Sequence, residues 1–127
     1  MIQLALNVPG RLYREAITSA LERTGNFRVR PLEDYVGEGL ADIIREGPDV
    51  ALLGISVQPK YTLKERKDMI LDIRERAPNC KIVLFLDELV SPEQTMGVKS
   101  LKQARLIDGF LYASGTMEYL VATLESI

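Results

Sequence analysis

Histidine and tryptophan are absent from the 127 residues, and cysteine occurs once, at Cys80. Without an imidazole there is no His-based triad, and one thiol with no histidine cannot make a zinc centre. A lone cysteine also excludes an internal disulfide. Neither charge is in marked excess: 18 acidic against 16 basic side chains leave a formal net charge of −2. With no polybasic run, the chain lacks the electrostatic footprint for nucleic acid or an anionic membrane surface. No apolar run approaches the roughly 20 residues needed to span a bilayer. The N-terminus shows neither the charged region nor the long apolar stretch of a secretory signal, so a cytoplasmic location is expected. No internal repeat or low-complexity segment is present. The length suits one domain over residues 1–127 with a single substantial core.

What is present alternates. Ile2 to Leu6 reads as a strand followed by the breakers Pro9 and Gly10. A helix from Arg11 places Leu12, Ala16, Ile17, Ala20 and Leu21 on one face, with Gly25 as its C-terminal stop. Phe27 to Val29 predicts a short strand near a sheet edge. A second helix carries Val36, Leu40, Ile43 and Ile44 inward and stops before Gly47-Pro48. Val50 to Ile55 and Ile82 to Leu86 are unbroken runs of the kind buried on both faces of a parallel sheet. Between them a helix over 63–77 offers the stem of Arg66 with Ile70, Ile73 and Ala77, ending at Pro78-Asn79. Ser91-Pro92-Glu93-Gln94 opens another helix running to about Leu106, weakened by Gly97. Gly109 to Ala113 predicts the last strand, and Met117, Leu120, Val121 and Leu124 give the closing helix its apolar face.

Five strands alternating with five helices through short connections predict a three-layer, doubly wound α/β sandwich. The flavodoxin-like order 2-1-3-4-5 is expected, with any ligand site outside the carboxyl ends of strands 1 and 3.

Leu12-Tyr13-Arg14-Glu15-Ala16-Ile17, Pro48-Asp49-Val50-Ala51-Leu52-Leu53 and Asp108-Gly109-Phe110-Leu111 resemble response-regulator receiver domains over nearly the whole chain. The resemblance is to receivers of the CheY-like type, and within them to those of NarL/LuxR-type regulators, whose first helix opens with a similar stretch. It implies a phosphoacceptor aspartate at the position of Gly54 and a metal-binding acidic pair at Val8 and Pro9, or at Asn7 and Val8 if the register slips by one. It further implies a hydroxyl residue at Leu86, a lysine at Ala113 and a switching aromatic at Phe110. None of the phosphoryl-handling side chains is there. Phosphoryl transfer rests on positioning and charge stabilisation, and those contributions are lost together. The proline that would follow the lysine is Ser114, and the stretch from Leu86 to Ala113 is several residues longer than usual for a receiver, which implies a remodelled region after strand 4. A fixed, packed Phe110 is expected rather than a moving one.

Asp87 and Glu88 follow strand 4 on the ligand edge, where a solvated loop is the plainer expectation than acid–base or metal chemistry. Ser56, Ser114 and Thr116 lie near strand ends with no basic partner to activate a hydroxyl, and capping of the last helix suits Ser114 or Thr116 better. Gly10 and Gly54 leave room for a small anion, yet no Gly-rich phosphate fingerprint accompanies them. Lys99, Lys102 and Arg105 form a basic stripe on the fourth predicted helix. The expectation is a degenerate receiver that is no enzyme and carries no cofactor or metal. It would serve signal transduction as a homodimerisation or protein-docking module through Lys102, Arg105, Phe110, Tyr112 and Tyr119. The alternatives are the regulatory part of a LuxR-type DNA-binding regulator continuing past Ile127, and a small-ligand sensor using the vacated cleft.

Overall fold

A computed structural model describes residues 1–32, 41, 43 and 45–127. Five parallel strands, β1 (Ile2–Asn7), β2 (Phe27–Pro31), β3 (Val50–Ile55), β4 (Lys81–Leu86) and β5 (Gly109–Tyr112), form one sheet in the order β2-β1-β3-β4-β5. The described helices are α1 (Arg11–Glu22), α2 (Leu63–Arg76), α3 (Pro92–Gln103) and α4 (Met117–Glu125). The last three are the third, fourth and fifth predicted helices. Val36, Leu40 and Ile44 of the second lie outside the described residues, while Ile43 is buried in the core.

Side chains alternate across each strand, so the apolar runs feed two cores, one on either face of the sheet. Ala51, Leu53, Ile55, Ile82, Leu84 and Leu86 pack with Ile70, Ile73, Val98 and Leu101 of α2 and α3. Leu4, Leu6, Leu52, Val83 and Phe85 pack with Ile17 and Leu21 of α1 and Leu120 and Leu124 of α4. The sheet is the flavodoxin-like sandwich expected, with β2 at an edge.

Three local expectations are corrected. Leu12 is 80% exposed and Ala16 is exposed as well, because α1 turns only the Ile17–Leu21 line onto the sheet. The same helix ends at Glu22, capped by Arg23, and Gly25 follows with its N–H on the Glu22 carbonyl. Helix α3 stops at Gln103 rather than near Leu106. There Arg105 adopts φ 61°, and the N–H groups of Arg105 and Leu106 return to the carbonyls of Lys102 and Leu101, the pattern of a Schellman stop.

The start of α3 is as expected, with Pro92 in its first turn and Gln94 three residues after the cap. Ser91 caps α3 by accepting from the Gln94 N–H. The Gln94 side chain does not fold back to it, and instead accepts from the Leu63 N–H at the start of α2, 2.9 Å away. Gly97 sits where α2 and α3 come close: a Cβ there would lie 2.5 Å from Leu63 Cδ2.

Candidate functional site

In the order β2-β1-β3-β4-β5 the winding reverses between β1 and β3, so the carboxyl ends of these strands border the crevice in which open α/β sheets take ligands. β1 delivers Asn7 and Val8 there, both buried, followed by half-exposed Pro9. β3 delivers Gly54, whose backbone is regular strand. A Cβ on Gly54 would lie 2.6 Å from Pro9 Cδ, 3.1 Å from Val8 Cα and 3.3 Å from Val8 Cβ. The proline ring is fused to the backbone and cannot swing aside as a long side chain would. The expected room for an anion at Gly54 is therefore corrected: Pro9 and Val8 take it. Gly10 caps α1 at φ 91°, a left-handed conformation that suits glycine.

The crevice is filled from inside as well. Arg66 was expected to bury only its stem, but the whole side chain is 0% exposed. Its Nε donates to the Gly54 carbonyl and Nη2 to the Asn7 carbonyl, each at 3.0 Å, while Nη1 approaches Met69 Sδ at 3.3 Å. The guanidinium carbon lies 4.7 Å from the centre of the Tyr61 ring, within cation–π range. Burial lowers its pKa from 12.5 to about 10, with Tyr61 and Glu65 pulling the other way. Leu63, Arg66, Met69, Ile70 and Ile73 are the buried residues of α2, so the one sequence signal for this contact is an arginine in phase with an apolar stripe.

The loop between β3 and α2 is closed on itself. The buried Ser56 donates its N–H to the Tyr61 carbonyl at 2.9 Å and accepts from the Gln58 N–H at its hydroxyl. Thr62 caps α2, and Glu65 accepts from Thr62 Oγ1 and from the Lys60 N–H. Across the sheet, Leu86 is buried and Ala113 continues the ladder, its N–H on the Leu86 carbonyl at 2.8 Å. Asp87 accepts from the Leu89 N–H at Oδ1, a turn contact that fits the solvated-loop expectation. Thr116 caps α4 by accepting from the Tyr119 N–H, 3.1 Å away. Ser114 and Glu88 are exposed, and with Leu86, Asp87, Thr95 and Tyr112 they line an open cavity of about 370 Å³.

No protein-family model matches the chain, and no curated protein matches it in sequence. Solved structures do match in three dimensions. A LuxR-family DNA-binding response regulator from Staphylococcus aureus superposes with a TM-score of 0.79 at 20% identity, over 99% of this chain and 98% of that one. CheY4, a chemotaxis protein of Vibrio cholerae, gives 0.76 at 19% identity, over 100% and 98%. A structure described as an adenylate cyclase from Rhodopirellula baltica gives 0.79 at 15% identity, over 98% and 84%.

The chain has the fold of a response-regulator receiver domain.

On this receiver fold a divalent cation would need oxygen ligands, and the crevice does not fit one. Val8 and Pro9 carry no carboxylate, Asn7 offers at most an amide, and the carbonyls of Asn7 and Gly54 already accept from Arg66. Among the described residues no group of three or more His, Cys, Asp or Glu side chains is placed to hold a metal. The residues named for an interface divide. Tyr112 and Tyr119 are 46% and 63% exposed and border one small cleft with Tyr13 and Phe85. Phe110 is half-buried against the core on the α2/α3 face and meets Tyr112 edge-on at 5.8 Å. Lys102 on the last turn of α3 and Arg105 just beyond it are exposed. No described helix is long and apolar enough to cross a membrane.

Proposed function

We propose that residues 1–127 act as one degenerate receiver domain in the cytoplasm, a phosphorylation-independent interaction module of signal transduction and transcriptional control. The carrying observation is steric: any side chain at position 54 meets Pro9 Cδ at 2.6 Å. A missing aspartate alone would leave a vacant acceptor pocket. Here Pro9 and Val8 stand against Gly54, which supports the reading that the space for a nucleophile at that position has been closed rather than only vacated. The adenylate cyclase likeness is one of fold; among the described residues no carboxylate stands beside Gly54, and Asp87, on the neighbouring cavity with Glu88, already accepts from the Leu89 N–H.

On this reading the domain serves through contact. Exposed aromatic side chains are the usual anchors of protein interfaces: Tyr112 and Tyr119 stand out at the carboxyl end of β5 and on α4, while Lys102 and Arg105 are exposed at the end of α3 that leads into β5. A homodimer or a protein partner docked over α3, β5 and α4 is the proposed assembly. No nucleic-acid or membrane contact is proposed for this segment.

Incubation with acetyl phosphate and Mg²⁺ followed by intact-mass measurement tests the reading. The expected result is no phosphorylated species. A stoichiometric aspartyl phosphate overturns it.

A further inference from the structure

Among the described residues no carboxylate makes an ion-pair contact with the buried Arg66 guanidinium, and Glu65 acts on it only through its field. The contacts of Arg66 are two main-chain carbonyls, a thioether and an aromatic ring. That is an unusual end for an arginine, since a buried charge is ordinarily paired. An apolar side chain would continue the stripe of Leu63, Met69, Ile70 and Ile73 with no desolvation cost. It could not do what the guanidinium does, which is to satisfy two carbonyl oxygens from two different strands at once. Those oxygens belong to Asn7 and Gly54, at the carboxyl ends of β1 and β3, where the sheet's winding reverses. Carbonyl oxygens around a positive charge are also the surroundings a hard cation takes.

We propose that Arg66 is an internal ligand of this crevice, a built-in cation that joins the ends of β1 and β3 and holds the loop 56–62 in one arrangement. The loop is engaged through Tyr61, whose ring lies over the guanidinium and whose carbonyl accepts from the Ser56 N–H. The domain is thus self-liganded: the cation arrives on α2 and never leaves. This inference rests on the contacts of Arg66 and stands apart from the phosphorylation reading, which rests on Pro9 against Gly54.

The test is chemical rescue. Arg66→Ala removes the guanidinium and leaves a cavity of its shape. Amide hydrogen exchange at residues 7–10 and 54–62 is expected to accelerate at least about tenfold, and millimolar ethylguanidinium is expected to restore protection, while ethylurea and sodium chloride do not. Should Arg66→Ala fail to fold alone, ethylguanidinium is expected to shift its folding equilibrium where ethylurea does not. Arg66→Met preserves bulk without donors and is expected to lose the same protection, with Arg66→Lys intermediate. Wild-type protection in Arg66→Met, or equal effects of ethylguanidinium and ethylurea, overturns the proposal. Neither result bears on the acetyl phosphate experiment.

Discussion

Gly54→Ala is the smallest perturbation that asks whether the crevice is filled. Gly54 lies within β3 at a φ outside the left-handed range, so alanine fits its backbone, and on chain entropy alone the change would stabilise by about 0.4–1 kcal/mol. The added Cβ, however, meets Pro9 Cδ at 2.6 Å and Val8 Cα at 3.1 Å. One is a ring atom tied to the main chain and the other is the main chain. Overpacking costs about 1–3 kcal/mol, and against atoms tied to the main chain the upper part of that range, about 2–3 kcal/mol, applies, which leaves a net loss of about 1–2.5 kcal/mol. For a domain of this length that is a fall in Tm of roughly 4–10 °C. Thermal and urea unfolding of Gly54→Ala, Pro9→Ala and the double variant give the cycle: Pro9→Ala removes the ring, so the pair should couple by at least about 1 kcal/mol. A Gly54→Ala chain as stable as wild type, or a cycle additive within about 0.5 kcal/mol, refutes the steric account.

Two further outcomes concern the opposite end of the sheet. Arg74 donates to the Leu106 and Cys80 carbonyls and to Asp108 Oδ2 at 2.8 Å, and Asp108 also accepts from the Ile82 N–H. Partial burial raises the Asp108 carboxyl, but the bonds from Arg74 and Ile82 outweigh it and hold the group below its ordinary range. The stabilisation is therefore complete above the unfolded value near 3.9 and is lost as pH falls through the folded value. Arg74→Met should cost about 2–3 kcal/mol at neutral pH, and its deficit against wild type should shrink as unfolding is followed down to about pH 2; a deficit independent of pH contradicts the assignment. Burial pushes the Cys80 thiol up to about 11, so at pH 8 a disulfide reagent should label the native chain slowly and the urea-unfolded chain at once. Immediate stoichiometric labelling of native protein contradicts that burial.

The fold was legible because parallel strands buried on both faces leave unbroken runs such as Val50–Ile55, and the short connections allow little but alternate crossovers. That no carboxylate stands at Val8, Pro9 or Gly54 is read directly from the sequence. The closing of the space at Gly54 was not legible there. That Pro9 would press on Gly54 depends on how β1 and β3 align, a register no local pattern contains. The burial of Arg66 has no local signature, because arginine ordinarily keeps its head in water, and only the two carbonyls it meets, 12 and 59 positions away, reverse that preference. Leu12 failed for a related reason: the helical period allows a wide apolar face, and the neighbouring elements decide how much of it is covered.

The register of β1 with β3 sets a condition on how the chain assembles. Leu4 to Asn7 align with Val50 to Leu53, so the first strand stays unmatched on that side until more than a third of the chain has been made. Pairings this distant are reached late and slowly, because loop closure must precede the contacts that reward it. The Asn7–Arg66 bond spans still more chain, so the expected outcome for Arg66→Met is a φ-value near zero, a contact made after the rate-limiting step. Interactions formed after that step slow unfolding rather than hasten folding. The buried arginine is then a determinant of how long the native domain persists, a lifetime that no phosphorylation cycle would be needed to set.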